Sequence, residues 1–386
     1  MAGLADVDLS AEDVALREMV RALVAEQIAP RAAEVDEQAR FPTEALEALA
    51  KVDLLGMLVP AEFGGAGGTK LQYAITVEEI ARACGSTSAT YMTQAHGALP
   101  LTLAGTEEQK RRWLPPLAAG EVVGAIALSE PHAGSDLADM RTTAVASADG
   151  FVLDGGKMFI TNGGQADLVC VFAKTDPSAG HRGISAFLVD GDAAGLSAGA
   201  PLKKMGIRGS NTVELFLDSV QVDRTRLLGD PGAGFGLAMR TLEGARLSTA
   251  AQALGLGQGA YDIAFAYAQE RTQFGVPIYD HQAVQFRLVD MHIALEAARS
   301  LLYRTARLMD ERSGERHAEA TAVAKVHCSD VAMRVATDAV QTLGGYGYMQ
   351  EYEVERFMRD AKITQIYDGT NDINRLVVGR ELARRA

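Results

Sequence analysis

A carboxylate and a hydroxyl flank a glycine near the end of the chain, just before the last helical pattern. The three residues are Asp368, Gly369 and Thr370, and they follow the run R-D-A-K-I-T-Q-I-Y at 359–367. A carboxylate whose position is fixed by its surroundings can act as a general base. The segment thus places a carboxylate and a hydroxyl around a glycine, ahead of the last helical pattern.

Two earlier segments combine hydroxyls with a tight turn and with a strand. The run L-S-E-P-H-A-G-S-D at 128–136 is a tight polar turn that contains two hydroxyls, Ser129 and Ser135. In K-M-F-I-T-N-G-G at 157–164, Phe159 and Thr161 are two residues apart, so both side chains face the same side of a strand.

Two later segments lie at the ends of helical patterns. In R-T-Q-F-G at 271–275, Arg271 ends a helical pattern with a cation, which is a natural partner for a phosphate. In Q-T-L-G-G-Y-G at 341–347, Gly344 and Gly345 allow a backbone or a ligand to approach closely. Arg271 is also consistent with an ordinary cation at a helix C-terminus.

Composition and spacing argue against several functions. Fifty acidic against 37 basic residues give a net charge of −13, which disfavours nucleic-acid binding. The three scattered cysteines and seven histidines show no metal-ligand spacing. Gly255, Gly257 and Gly259 lie in an Ala-rich helical block, where close helix packing is a better interpretation than a dinucleotide loop. With no signal peptide or membrane span in the sequence, we expect a cytoplasmic protein.

Three regimes of sequence must position these residues. Residues 11–120 have helical periodicity, including a helix with a capping box at Thr106 that is predicted to end at Pro115 and Pro116. Residues 121–231 contain short apolar runs between Gly, Asp and Pro clusters, which are typical of an antiparallel β domain. Helical blocks at 235–270, 282–311, 318–343 and 372–385 predict a four-helix bundle. The predicted units are therefore 1–120, 121–231 and 232–386.

In this order and spacing, the segments resemble the acyl-CoA dehydrogenase family, in particular its short-chain and bacterial butyryl-type members. The resemblance extends from about residue 12 to residue 384. It implies an N-terminal all-α domain, a middle antiparallel β-barrel and a C-terminal four-helix bundle. It also implies FAD as cofactor, a homotetramer built as a dimer of dimers, and transfer of electrons to an electron-transferring flavoprotein.

The resemblance also assigns roles to individual residues of this chain. The implied cofactor contacts are Leu128, Ser129, Ser135, Phe159, Thr161, Arg271, Phe274, His281, Gln282, Gln341, Gly344, Gly345, Thr370 and Asn371. Those from Arg271 to Gly345 are expected to reach the FAD of a neighbouring subunit. The implied substrate contacts are Ser135, His181, Arg182, Glu243, Arg246, Tyr367 and Gly369.

The implied reaction is α,β-dehydrogenation of an acyl-CoA, in which Asp368 removes the α-proton and flavin N5 takes the β-hydride. Most relatives have Glu at this position, and the alternative base position of the family corresponds to Ala245. The missing methylene withdraws the carboxylate by roughly 1.5 Å. In having Asp at this position, the chain resembles dehydrogenases that act on alicyclic acyl-CoAs and also nitroalkane oxidases.

Several alternatives are left open by the sequence. The chain is also consistent with a nitroalkane-oxidase-like flavoenzyme, an acyl-carrier-protein-linked dehydrogenase, or a catalytically weak partner subunit. Phe159 could belong to the core of the β domain, and Glu243 with Arg246 could form a surface ion pair. His132, which replaces a residue that is usually Gly, suits a solvated turn. Substrate preference depends on how Met92, His96, Leu99 and Tyr367 project.

Overall fold

The computed structural model describes residues 9–385 as two helical regions separated by a sheet. Six α-helices precede the sheet and five follow it. They are α1 (Ala11–Leu23), α2 (Ala32–Glu37), α3 (Thr43–Ala50), α4 (Lys70–Ala81), α5 (Gly85–Ala104), α6 (Glu107–Ala119), α7 (Gly234–Glu270), α8 (Gln282–Glu311), α9 (Ala318–Leu343), α10 (Val354–Ile363) and α11 (Asn371–Ala383). None of these helices is both long and apolar enough to span a membrane.

The strands between α6 and α7 form one sheet. They are β1 (Gly124–Ala127), β2 (Thr143–Ala146), β3 (Gly150–Thr161), β4 (Leu168–Lys174), β5 (Ile184–Asp190), β6 (Leu196–Ala198), β7 (Thr212–Asp223) and β8 (Leu227–Leu228). The short strands β9 (Thr272–Gln273) and β10 (Val276–Pro277) form a separate hairpin after α7.

The order in the main sheet is β6-β7-β3-β2-β4-β5-β8, with β1 beside β4. The predicted antiparallel barrel needs correction in one respect, because β1 and β2 both pair with β4 in parallel. Barrel closure is not confirmed, since no pairing among the described residues joins β6 to β8. The prediction of a sheet region between two helical regions is confirmed.

The four long helical blocks predicted after the sheet appear as α7, α8, α9 and α11, with α10 as an additional short helix. The capping box at Thr106 is present, because Gln109 N donates to Thr106 Oγ1 at 3.2 Å and Thr106 N donates to Gln109 Oε1 at 2.8 Å. The predicted end of this helix is wrong. Helix α6 continues through Pro115 and Pro116 and ends at the left-handed Gly120.

The two helical regions share one hydrophobic core, to which α1, α4, α7, α8 and α9 all contribute. Close packing of α7 against α4 depends on glycine. A Cβ added at Gly255 would lie 2.2 Å from Glu78 O, and one at Gly259 would lie 2.3 Å from Arg82 O. These contacts fit the interpretation of the glycines as packing residues. They hold α7, which carries several of the predicted site residues, close against α4.

Candidate active site

The segment between α10 and α11 presents Asp368 on a tight turn of unusual backbone geometry. Asp368 has φ +52° and Gly369 has φ +85°, so two successive residues are left-handed. Glycine adopts this conformation freely, and Asp is one of the few other residues that tolerate it. The sequence D-G therefore suits the turn, and Asp368 is partly exposed.

The Asp368 carboxylate is held by a hydroxyl on the central helix. Thr249 Oγ1, fully buried in α7, donates a 2.6 Å hydrogen bond to Asp368 Oδ2. The bond joins residues 119 positions apart in the chain. A hydrogen bond to an ionised acceptor is short and strong, so it restricts the orientation of the carboxylate.

The backbone of the same turn is held by a buried cation. Lys325 Nζ, on α9, donates to Gly369 O at 2.8 Å and to Asn371 Oδ1 at 2.8 Å. Asn374 Nδ2 also donates to Gly369 O, at 2.7 Å. Burial lowers the pKa of Lys325 to about 8, against the opposing attraction of Asp368.

Thr370 and Asn371 are both engaged within the protein. Thr370 caps α11, where its hydroxyl accepts from Ile373 N at 3.2 Å. The buried Asn371 amide accepts from Lys325 and donates to Ser329 Oγ and Asp330 Oδ1. The structure gives the Asn371 side chain a role in anchoring the turn, and its cofactor contact stays a prediction.

Glu243 and Arg246 do not form the surface ion pair that the sequence left open, because both are buried. The Glu243 carboxylate accepts from Arg316 Nε at 2.5 Å and from His317 N at 2.8 Å, at the start of α9. Arg246 Nε is buried without a hydrogen-bond partner among the described residues. Glu243 is thus occupied by the protein itself, whereas Arg246 keeps a donor that a substrate group could use.

A polar cluster lies next to Thr249 on α7. His96 Nε2 is 2.9 Å from Ser248 Oγ, and burial lowers the pKa of His96, so this imidazole is neutral at neutral pH. The Tyr367 hydroxyl donates to Gln252 Oε1. The buried Tyr73 hydroxyl has no hydrogen-bond partner among the described residues. Of the four side chains expected to set pocket depth, His96 and Tyr367 belong to this cluster.

The turn at 128–136 is held by a buried ion pair. Lys157 Nζ lies 2.8 Å from Glu130 Oε1, and both side chains are almost completely buried. Burial acts to raise the pKa of Glu130, but Lys157 and backbone donors outweigh it and lower that pKa. His132 Nε2 lies 3.5 Å from Glu130 Oε2 at the edge of the turn, where a solvated histidine was expected.

Phe159 lies on an irregular part of β3, and its ring points outward. It has φ +62° and lies within a shift of register between Lys157 and Ile160. Its side chain is 63% exposed, which excludes the alternative that it belongs to the core of the sheet. Met158 N donates to Ser129 O at 2.9 Å, so this part of β3 is joined to the turn that contains Leu128 and Ser129.

Arg271, Gly344 and Gly345 come together at the end of α7. With Tyr346 they line an open cavity of about 430 Å³. The Arg271 guanidinium lies 5.4 Å from the Tyr346 ring centroid. No atom lies within 4 Å of the Cβ that either glycine lacks, so this side of the loop is open to a ligand.

The other predicted contacts lie at exposed or partly exposed positions. Phe274 is 95% exposed and meets His281 edge to face at 5.8 Å. The His181 ring is 5.2 Å from that of Phe235. Exposed side chains also include Ser135, Arg182, Gln282 and Gln341, while Leu128 is buried and Ser129 and Thr161 are partly exposed.

Sequence reasoning missed Thr249, Ser248 and Lys325. Thr249 is three residues after Arg246 and therefore near the same face of a helix. A lysine inside the apolar run A-V-A-K-V was a second available signal, since a buried lysine needs partners. Neither signal names the partner, because the partners come from distant parts of the chain.

The arrangement fits FAD in the chemistry of its donors. A cation beside an open glycine loop suits a pyrophosphate, and the exposed Phe159 ring, which follows the residue bonded to Ser129 O, suits a flat heterocycle. By contrast, no group of acidic, histidine or cysteine side chains among residues 9–385 could hold a metal ion.

Comparisons with known proteins identify the family. Family models of the N-terminal, middle and C-terminal domains of acyl-CoA dehydrogenases match residues 10–121, 125–220 and 232–383. The chain is 44% identical over 382 residues to a short-chain-specific acyl-CoA dehydrogenase of Clostridium acetobutylicum, covering 98% of this chain and 100% of that relative. It is 47% identical over 377 residues to a cyclohex-1-ene-1-carbonyl-CoA dehydrogenase of Geobacter metallireducens, covering 97% and 98%.

A solved structure gives the same result. A chain from a study of the electron transferring flavoprotein of Acidaminococcus fermentans matches with a TM-score of 0.96 and 43% identity, covering 98% of this chain and 100% of that one. Members of the matched family bind FAD. The chain belongs to the acyl-CoA dehydrogenase family.

Proposed function

We propose that this enzyme dehydrogenates an acyl-CoA thioester at its α and β carbons, with Asp368 as the base that removes the α-proton. The observation that carries this role is the fixation of Asp368 from two sides. Thr249 holds the carboxylate at 2.6 Å, and Lys325 holds the backbone of the turn at 2.8 Å.

The α-hydrogen of a thioester is weakly acidic, so its removal needs a positioned base. Oδ2 of Asp368 accepts from Thr249, and Oδ1 has no hydrogen-bond partner among the described residues. Oδ1 is thus available to receive the proton. FAD, when bound, supplies the acceptor for the β-hydrogen and its electron pair.

For the substrate, we propose a short, branched or alicyclic acyl chain. Asp368 is one methylene shorter than Glu, and a ring whose α-carbon lies close to the base would suit a shorter acid. The relatives described above include one named as short-chain specific and one named for a cyclohexene-carbonyl-CoA. Arg246, with its free buried Nε, is the proposed contact to the CoA arm, together with His181, Arg182 and Ser135.

The test is anaerobic reduction of the purified yellow protein by butyryl-CoA, isobutyryl-CoA and cyclohex-1-ene-1-carbonyl-CoA. At least one should bleach the flavin of the wild type. Asp368→Ala should keep its flavin and resist bleaching, since it lacks a proton acceptor. Full bleaching of Asp368→Ala would refute the base assignment. Rapid peroxide formation with nitroethane and no reduction by acyl-CoAs would instead select the nitroalkane-oxidase-like alternative.

We further propose that the FAD pyrophosphate binds in the cavity at Arg271, Gly344 and Gly345 of a neighbouring subunit, within a homotetramer. The support is the open glycine loop and the exposed Phe274 beside Arg271. Arg271→Ala should lower the ratio of flavin to protein, and sedimentation of the wild type should give four chains per particle. An unchanged flavin ratio would contradict the role of Arg271, and a monomer would contradict the shared site.

The proposed electron acceptor is an electron-transferring flavoprotein. Its support is the close match to a chain studied with such a flavoprotein. Steady-state turnover should therefore require a purified electron-transferring flavoprotein and be slow with oxygen alone.

We also propose three structural units with boundaries at residues 120 and 231, where helices are followed by strands and strands by helices. We propose in addition that the middle sheet closes into a barrel.

A further inference from the structure

The Thr249 hydroxyl does not follow the usual behaviour of a hydroxyl inside a helix. Serine and threonine hydroxyls in helices commonly donate to a carbonyl three or four residues earlier. Two neighbours on α7 do so, since Thr241 Oγ1 donates to Leu237 O at 2.9 Å and Ser248 Oγ donates to Ala245 O at 3.0 Å. Thr249 instead directs its hydroxyl to the Asp368 carboxylate.

The hydrogen bond from Thr249 fixes the orientation of the Asp368 carboxylate, which the backbone of the turn does not determine. The left-handed backbone at 368 and 369, anchored by Lys325, fixes the Cα of Asp368. The carboxylate can still rotate about two side-chain bonds. Because Thr249 is fully buried on the central helix, its hydroxyl is a rigid reference point, and a 2.6 Å bond to Oδ2 selects one orientation.

We propose that Thr249 is a positioning residue that adapts this site to a short catalytic acid. By holding Oδ2, it presents Oδ1 for proton transfer, and its own proton stays on Oγ1 throughout. This inference rests on the proposed role of Asp368 as base. Misplacement of a catalytic group by about 1 Å can cost on the order of a hundredfold in rate. Without the hydrogen bond from Thr249, the Asp368 carboxylate could rotate freely, and we expect a misplacement of this size.

The first experiment removes the hydroxyl while keeping the shape of the side chain. Thr249→Val should lower the rate constant of anaerobic flavin reduction about ten- to a hundredfold, with unchanged flavin content and unchanged substrate concentration at half-saturation. Thr249→Ser keeps a hydroxyl and should retain a rate within about threefold of the wild type. The probe is the acyl-CoA that reduces the wild type fastest among butyryl-CoA, isobutyryl-CoA and cyclohex-1-ene-1-carbonyl-CoA.

The matched control is Thr241→Val, because it makes the same change in a buried threonine of the same helix whose hydroxyl only bonds back to Leu237. It should reduce at the wild-type rate. A Thr249→Val rate within about twofold of the wild type would overturn the proposal, as would equal losses in Thr249→Val and Thr241→Val. Should Thr249→Val not retain FAD, Thr249→Ala is measured in its place under the same criteria.

The second experiment tests whether Thr249 acts through the short acid. Asp368→Glu moves the carboxylate by one methylene, so the contact with Thr249 cannot persist in the same geometry. Thr249→Val should therefore cost less than about twofold in the Asp368→Glu background, while it costs at least tenfold in the wild type. Equal costs in both backgrounds would refute positioning through Asp368.

Failure of the proposed function gives a different result. If Asp368→Ala still bleaches fully, the base assignment itself is wrong. If Asp368→Ala is inactive and Thr249→Val is fully active, the base assignment stands and only the positioning role is refuted.

Discussion

Lys325 Nζ lies 2.8 Å from the carbonyl oxygen of Gly369, directly behind the turn that carries Asp368. A buried ammonium is costly unless its protons have acceptors, and here Gly369 O and Asn371 Oδ1 provide two. Removing the acceptors would leave the buried ammonium without partners, and removing the cation would take one donor from each acceptor. The turn and the cation therefore depend on each other.

Lys325→Met should loosen this turn without emptying the flavin site. The variant leaves Gly369 O with only Asn374 as a side-chain donor, so Asp368 should sample more positions. We expect at least a tenfold lower rate constant of flavin reduction. Stopped-flow reduction by the same acyl-CoA measures it, with Lys174→Met on the sheet as a control. Wild-type reduction by Lys325→Met would contradict this dependence.

The same lysine predicts a pH dependence of stability. Burial lowers its pKa from 10.5 to about 8, so between those values the unfolded chain binds more protons than the folded chain. Stability contributed by this residue therefore rises with pH from about 8 to about 10.5. The thermal midpoint of the wild type should therefore rise relative to that of Lys325→Met as the pH increases across that range. If the thermal midpoint of the wild type instead fell relative to that of Lys325→Met as the pH rises, the predicted direction would be wrong.

The positions of helices and strands could be predicted because they depend on local pattern. The 3.6-residue periodicity of α8 and α9 and the capping box at Thr106 need no knowledge of distant residues. The prolines of α6 misled because the helix tolerates them, and the carbonyls that lose a donor belong to exposed residues. Arg111 and Arg112 are exposed, so their carbonyl oxygens can bond to water in place of the missing N–H groups.

Contacts between distant segments could not be predicted in the same way. Thr249 and Lys325 meet the turn at Asp368 only because α7 and α9 pack together beside it, and they are 119 and 44 residues away from their partners. Motif matching predicted roles for Asp368 and Arg271, because their neighbours in sequence are distinctive. It could not identify residues whose importance lies in what they touch.

The buried pair Glu130–Lys157 should behave as a unit that shapes the turn around Ser129. Glu130→Gln leaves a buried cation without its counter-charge, and loss of one member of such a pair costs about 3–5 kcal/mol. We expect a lower thermal midpoint and a lower ratio of flavin to protein. The double variant Glu130→Gln/Lys157→Met removes the unpaired charge and should lose less than the sum of the single variants. Additive losses would show that the two side chains act independently.

Glycine at position 255 should be required for the contact between α7 and α4. A Cβ there would lie 2.2 Å from Glu78 O, which belongs to the backbone and cannot move alone, so Gly255→Ala must push the two helices apart. Overpacking of this kind costs about 1–3 kcal/mol. Gly236→Ala is the matched control, since a Cβ at this position of the same helix meets nothing within 4 Å. Alanine favours helix over glycine by up to about 1 kcal/mol, so the control should be neutral or stabilised. Chemical denaturation with flavin fluorescence as a second probe compares the stabilities of the two variants, and equal stability would refute the close-packing interpretation.

The displacement of α7 by Gly255→Ala should also reach Thr249, which is six residues earlier on the same helix. Slower flavin reduction should therefore accompany the loss of stability.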